Sequence, residues 1–417
     1  MKNKQVIFTL AALLAGIVCG LLMQYCLDGQ TLTTIKGSVL SPVRDVFLNA
    51  LKMLMAPVTF FAILSGVTNI SDTSLLGKLG GKMVGVSVFM QVLTTLFGLG
   101  LALLLFTGDL TYIQEGIHVT DGKVGVGDYP SLTELLFGIV PKNLVDPFKG
   151  ENILQTIFIA IFFGIVINKM GDKARRLVEL SDLMFQFSIV ALKMIVHIIP
   201  FIVFLSMTAL FASTGITTIL AFGRLFGGLA VGVLIVWVVG ALTTLLFARL
   251  SPLCLTRRLA ALSPLVFTVS SSHARLPFVL KFCSERLGID PKLAAFSIPV
   301  GVQLNKAGNC IFFSLMTMLM IRVYDIPVTP DLMLTLLVSV CIMSIAKPPV
   351  PCGGIICLAY LFSLVGVPAE AISVVLCIDP IAAMFNGVCN ESANITTCFI
   401  LAKDNKMLDK DKYYGRS

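Results

Sequence analysis

Long apolar runs, separated by short polar and glycine-proline clusters, organise the chain. A helix needs about 20 apolar residues to cross a bilayer. Runs of roughly that kind fall at 5–26, 47–67, 83–106, 153–167, 183–211, 217–247 and 297–321. Lys2 and Lys4 precede the first run, as they would a signal peptide, but the many runs behind it favour a retained first helix. From about Ser251 to Lys403 the pattern changes, because polar and helix-breaking clusters interrupt the apolar stretch. Ser270-Ser271-Ser272-His273-Ala274-Arg275-Leu276-Pro277 breaks one run, and Lys347-Pro348-Pro349-Val350-Pro351-Cys352-Gly353-Gly354 breaks another. After the first break comes a segment carrying Asn305-Lys306-Ala307-Gly308-Asn309. After the second comes one carrying Asn390-Glu391-Ser392-Ala393-Asn394. A broken apolar hairpin followed by a span with Asn-x-x-x-Asn therefore occurs twice. Non-helical backbone at membrane depth is tolerated only where protein or a wet cavity satisfies its polar groups. Matching interruptions in two halves of a chain are the sequence mark of a midplane binding site.

Composition fixes the broad class. The 417 residues are 57% hydrophobic and 13% charged, with a mean hydropathy of +0.94, whereas soluble domains are about 25% charged. A soluble globular enzyme is excluded, and a polytopic, all-α membrane protein is expected. The net charge of +8 reflects 31 Lys and Arg against 23 Asp and Glu. In a membrane protein that excess marks cytoplasmic loops rather than a nucleic-acid partner. Basic clusters lie at Lys2 and Lys4, at Lys169, Lys173, Arg175 and Arg176, at Arg257 and Arg258, and along a tail with Lys403, Lys406, Lys410, Lys412 and Arg416. Asp109, Glu115, Asp121 and Asp128 share one polar loop. The expectation is a multi-pass protein of the inner membrane with both termini cytoplasmic and a solvated tail. Of the 11 cysteines, nine lie at or beyond Cys254, and none is in a C-x-x-C pair. They read as small hydrophobes, so no cofactor is expected.

The order and spacing of these segments resemble the dicarboxylate/amino acid:cation symporter family, the glutamate-transporter-homologue fold. Leu51-Lys52-Met53 through Pro57 to Ser65-Gly66 resembles its second-helix signature. Ile139-Val140-Pro141-Lys142-Asn143, followed by Glu151-Asn152-Ile153-Leu154-Gln155, resembles the start of its fourth helix. Ser270-Ser271-Ser272 with Leu276-Pro277 resembles its first re-entrant hairpin tip, and Val350-Pro351 with Gly353 its second, gating hairpin. Asn305 and Gly308 match its unwound seventh-helix motif, while Asp379, Asn390 and Asn394 fall on the polar face of its last helix. The resemblance implies about eight transmembrane helices, two re-entrant hairpins, inverted repeats and a homotrimer. It also implies scaffold helices mainly within 1–70 and 131–250, a transport core mainly within 82–107 and 251–403, and a tail at 404–417. The core would carry substrate across as an elevator. Taken with the charges discussed next, the candidate substrate-binding residues are Ser271, Ser272, Arg275, Asn305, Lys347, Val350, Pro351, Asn386 and Asn390.

Departures from the family pattern bear on coupling. The family's seventh-helix Asp, a sodium ligand, is Ala307 here, and the Met before it is Lys306; a last-helix Asp of another sodium site is Asn394. The Asp that grips an amino acid's ammonium is Ala383, and the Arg that grips its side-chain carboxylate is Asn386. Sodium prefers several oxygens, normally with a carboxylate, so both sodium sites look degraded, with Lys306 standing in for the ion. Protons are the expected substitute. Coupling-ion candidates are Lys306, Asn309, Asp379, Glu391, Asn394 and His273, with Glu391 foremost because an acid in an apolar helix is costly without a role. The plainer alternative is a fixed ion pair of Glu391 with Lys306 or Arg275. Arg275, Lys306 and Lys347 form a cationic cradle that favours a small anion, and Arg275 offers a bidentate carboxylate contact. Plainer roles are a snorkelling Lys347, a hydrogen-bonded His273, and Lys193 and His197 at a membrane interface.

Ser272-His273 does not make a hydrolase, since adjacent helical residues diverge and no G-x-S-x-G surrounds them. Three functions fit the residues: a proton-coupled or uncoupled transporter of small organic anions, a sodium-coupled amino acid symporter, and an uncoupled anion channel.

Overall fold

The computed structural model describes residues 2–26, 28, 31, 34, 41–68, 73–107, 110, 137–149, 153–214, 217–268, 272–347, 353–368 and 371–414. These residues form helices, with one isolated antiparallel bridge between Ile289 and Leu408. Four stretches among them, 80–105, 154–195, 221–248 and 291–323, are long and apolar enough to cross a bilayer.

Helix α1 (Lys2–Cys26), α2 (Ser41–Thr68), α3 (Thr73–Leu105) and α4 (Ile153–Met170) match four of the expected apolar runs. The run expected at 183–211 is instead two helices, α5 (Arg175–Val196) and α6 (Ile199–Thr214). Pro200 sits in the first turn of α6, where a missing N–H breaks no helical bond, so proline here starts a helix rather than kinking one. Lys193 and His197 flank this junction and are exposed, with His197 Nδ1 2.6 Å from the Lys193 carbonyl.

Small residues set the closest helix contacts. On α1, Gly16 and Gly20 lie one turn apart against α6. A Cβ on either would sit 2.7 Å from the Phe204 or Thr208 carbonyl oxygen respectively, so only glycine lets the two backbones approach this closely. Helices α2, α4 and α5 share a separate small core of Phe60, Leu64, Ile159, Ala160, Ile167 and Ala174. Polar ties reinforce it, since Ser65 Oγ donates to Asp182 at 2.5 Å and Asn168 to the Val67 carbonyl at 3.0 Å.

A second, larger core draws on α1–α6 as well, through Leu13, Phe47, Met90, Leu154, Leu192 and Met207. Its remaining elements are α7 (Thr217–Thr243), α8 (Pro252–Thr268), α9 (Ser272–Glu285), α10 (Pro291–Leu304), α11 (Ala307–Val323), α12 (Pro330–Ala346), α13 (Gly353–Leu364) and α14 (Ile372–Asp404). Helix α11 is its axis, because every residue from Ala307 to Val323 except Arg322 is buried. Helices α3, α7, α12, α13 and α14 surround it. Glycines again permit the approach, with Gly98 of α3 against Ile311 and Ser314, and Gly228 and Gly232 of α7 against Leu315 and Ile311. Local signals start the helices cleanly. Asp290 caps α10 and Thr329 caps α12, each followed by proline at the first helical position.

Apolar side chains also face outward. Val84, Val88, Val92 and Leu96 on α3, Leu183, Phe187, Val190 and Met194 on α5, and Leu234, Val238 and Leu242 on α7 are all exposed. Such rows exceed what a water-soluble surface carries.

The tail is not wholly solvated. Helix α15 (Lys410–Tyr414) returns to the two ends of the α8–α9 pair. Tyr413 is fully buried, its ring centroid 4.7 Å from that of Phe399, and its hydroxyl donates to the Ser251 carbonyl at 2.7 Å. Arg258 of α8 donates to the Tyr413 carbonyl at 2.7 Å. At the end of α9, Asp409 N–H donates to the Gly288 carbonyl at 2.8 Å, and Asp290 N–H to the Met407 carbonyl at 3.0 Å. Charge dominates the tail's composition, but its buried aromatic decides where it sits. Tyr413→Ala is expected to cost about 3–5 kcal/mol, as for other buried aromatics, and Tyr413→Phe about 1 kcal/mol for the lost hydrogen bond. Thermal melting in detergent checks this order. Equal melting temperatures for all three proteins would mean that the tail contributes nothing.

Candidate functional site

The site begins with a break in a helix. Helix α10 ends at Leu304 and α11 restarts at Ala307, with Asn305 extended (φ −91°, ψ 93°) and Lys306 at φ −118°, ψ 37°. The freed backbone groups are met by side chains from three other helices. Gln91 of α3 donates to the Leu304 carbonyl at 2.8 Å, and Ser344 of α12 to the Lys306 carbonyl at 2.8 Å. Asn390 of α14 accepts from Gly308 N–H at 2.8 Å. Gly308 is required at that point, because a Cβ there would lie 2.6 Å from the Asn386 carbonyl oxygen and 2.8 Å from Cys389 Cβ.

Below the break runs a buried amide network. Thr397 Oγ1 donates to Asn305 Oδ1 at 3.2 Å, and the Asn305 amide donates to Asn394 Oδ1 at 3.5 Å. Asn394 donates to the Ile298 carbonyl at 3.0 Å and to Glu391 Oε1 at 3.4 Å. Gly301 leaves room for the Asn394 side chain. Asn305 and Asn394 thus bind the broken helix to α14.

Glu391 continues this network to the α8–α9 pair. Its other oxygen lies 3.6 Å from Arg275 Nε, with both side chains almost fully buried. Arg275 Nη1 donates to the Val266 carbonyl of α8 at 3.2 Å, and Gly387 lets the guanidinium lie against α14. Of the two ion pairs open to Glu391, the structure forms the one with Arg275. Arg275 was expected to grip substrate, but its guanidinium is 2% exposed and spans three elements.

Two cations are placed differently. Lys306 is 7% exposed and has no hydrogen-bond acceptor for its ammonium among the described residues. Lys347, just past the end of α12, donates to Asn309 Oδ1 at 3.1 Å. Asp379 is half-buried and lies near Lys347 across Gly354, whose Cβ position is 3.3 Å from Asp379 Oδ1 and 3.6 Å from Lys347 Nζ. Ser271, Val350 and Pro351 fall outside the described residues, as do the tips of both helix pairs. Of Ser272 and His273, only their places at the start of α9 are described. Among the described residues no group of three His, Cys, Asp or Glu side chains is placed to hold a metal ion.

A family model described as the sodium:dicarboxylate symporter family matches residues 6–404. The chain belongs to that family. It is 26% identical over 390 residues to a C4-dicarboxylate transport protein of Bacillus subtilis (strain 168), covering 90% of each chain. A second C4-dicarboxylate transport protein, of Xylella fastidiosa (strain 9a5c), is 24% identical over 409 residues, covering 95% of this chain and 88% of that one. A proton/glutamate-aspartate symporter of Bacillus subtilis is 25% identical over 379 residues, covering 89% and 90%. Membership together with the apolar helices makes the chain a multi-pass membrane protein of a symporter family.

Several members of this symporter's polar core escape a reading by motif. Gln91, Ser344 and Thr397 hold the break together, and Trp237 Nε1 of α7 donates to Ser392 of α14 at 3.1 Å. Gln91 was detectable in principle, since a glutamine inside the apolar run 83–106 is costly unless partnered. Removing one partner of a buried ion pair costs about 3–5 kcal/mol, because the other charge is left uncompensated. Glu391→Ala is therefore expected to lower the melting temperature sharply, with the double variant Arg275→Met/Glu391→Leu recovering much of the loss. A Glu391→Ala protein as stable as the parent would show that the pair does not brace the core.

Proposed function

We propose that this protein is a secondary active transporter of small organic anions, of the C4-dicarboxylate kind, working by an elevator mechanism without sodium. The observation that carries the sodium independence is the buried Lys306 ammonium at the α10–α11 break. It stands beside Ala307 and has no paired carboxylate among the described residues. A fixed cation there disfavours a second one by Coulomb repulsion in a poorly screened interior. The names of the relatives support the substrate class, and Ala383, by resemblance, leaves an amino acid's ammonium without its usual partner.

In this mechanism α3 and α7–α14 move as the transport core against a trimeric scaffold of α1, α2 and α4–α6. The α8–α9 and α12–α13 pairs are the two re-entrant hairpins, and both termini are cytoplasmic. The packing of α7 on α11 and α14 supports its travelling with the core, although its place in the sequence adjoins the scaffold. Protons supply the coupling. Glu391 is held by Arg275 and Asn394, so Asp379, half-buried and outside any ion pair among the described residues, is the better carrier. The name of the proton-coupled relative supports the same ion.

Uptake of radiolabelled succinate into proteoliposomes tests the proposal. Replacing sodium with choline is expected to leave the rate unchanged, whereas an acidic outside raises it. Asp379→Asn is expected to remove the response to the proton gradient while keeping succinate exchange. Strict sodium dependence, or uptake of aspartate in preference to succinate, would select the sodium-coupled amino acid symporter instead.

A further inference from the structure

The start of α11 carries more hydrogen-bond donors than its surroundings use. Lys306 is 7% exposed, and its ammonium has no hydrogen-bond acceptor among the described residues. Asn309 is fully buried, its Oδ1 is held by Lys347, and its Nδ2, on the same amide, has no hydrogen-bond partner among the described residues. A buried donor without a partner costs free energy that a ligand recovers by accepting from it. Lys347 reaches the same place from α12, where Ser344, one turn earlier, is bonded to the Lys306 carbonyl. Each lysine offers three rotatable donors on a flexible stem, and only one bond to Asn309 uses any of them.

Carboxylates among the described residues form no ion pair with this cluster. Glu391 lies within electrostatic reach of Lys306, yet it is turned toward Arg275 and Asn394. Asp379 faces Lys347 from the far side of Gly354 and forms no ion pair among the described residues. Two helix N-termini, those of α11 at Ala307 and α13 at Gly353, add positive dipole ends beside the lysines. We propose that Lys306, Lys347 and Asn309 form an anion seat at the break, which takes a carboxylate group of the transported substrate. The seat rests on the organic-anion function proposed above and assigns where the charge is held. Arg275 is not part of it, because its guanidinium is turned to Glu391 and the Val266 carbonyl.

Binding to the full-length protein in detergent tests the seat, in dilute sodium-free buffer with Tris succinate as the carboxylate probe and Tris chloride as the inorganic one. Melting temperature gives the affinity, and fluorescence of Trp237, the one tryptophan in the chain, gives an independent signal through its bond to α14. Succinate is expected to stabilise the parent protein. Lys306→Gln and Lys347→Gln should each weaken it about tenfold or more, the loss expected for a charge-assisted contact. Lys306→Arg should retain most of the binding, and Lys82→Gln, remote at its pair with Asp404, should change nothing. Melting without ligand shows whether each variant is folded, and Lys306→Arg serves where Lys306→Gln is not.

If succinate binds the parent and both Gln variants alike, the seat is overturned while organic-anion transport stands. If chloride alone stabilises the parent, and the lysine variants abolish that effect, the seat is upheld as an anion site and the dicarboxylate function fails. If neither anion shifts the parent, the seat is overturned.

Discussion

Helix α10 stops at Leu304 and α11 restarts at Ala307 inside the protein, where neither lipid nor apolar side chains can satisfy the backbone they expose. That interruption is what the rest of the core is arranged to support. Gln91, Ser344 and Asn390 come from three other helices to meet the Leu304 carbonyl, the Lys306 carbonyl and the Gly308 N–H. Because each partner comes from a different element, the break can exist only where α3, α12 and α14 all pass close to one another. The complete burial of α11 follows from this convergence, as do the glycines at 98, 228, 232 and 308 that bring backbone or side chains of neighbouring helices within contact.

Charge at the same depth divides into two kinds. Arg275 and Glu391 are paired, hydrogen-bonded and buried, so they join the α8–α9 pair to α14. Lys306, Lys347 and Asp379 share no ion pair among the described residues. A charge kept at membrane depth without a partner is costly, and proteins retain such groups where a ligand, an ion or a pathway uses them. The first kind explains why the core holds together. The second explains why it is more than a bundle of apolar helices.

Much of this was readable before the fold, and the exceptions have specific causes. The break at Asn305-Lys306 lies inside a stretch that hydropathy reads as one span, 297–321, and only the resemblance to an unwound seventh helix points to it. Asp290-Pro291 and Thr329-Pro330 mark helix starts by ordinary capping chemistry. The division at 197–198 was hidden, since Pro200 is equally at home in a continuing apolar segment read by hydropathy and in a new first turn. The partner of Glu391 was not decidable from sequence, because Lys306 and Arg275 offer the same charge and only packing against Gly387 and Val266 selects Arg275. The docking of the tail was masked by its lysines and aspartates, although Tyr413 was the residue that mattered. Ser271, Val350 and Pro351 lie outside the described residues, so the tips of the two helix pairs stay as the sequence left them.

The charge balance of the core bears on how such a carrier crosses a membrane. At the depth of the break the chain supplies Arg275, Lys306 and Lys347 against Asp379 and Glu391. Arg275 cancels Glu391 locally, leaving two ammonium groups and one carboxylate. An excess positive charge carried through a low-dielectric region is expensive, since the desolvation cost of a buried ion is several kcal/mol. A bound carboxylate of unit charge removes that excess. A dianion overshoots it by one, which a single proton on Asp379 restores. A family whose members import cations with their cargo would here have two of those charges built into the chain. In the elevator mechanism proposed above, the substrate's negative charge acts as the counter-ion that lets the loaded core move.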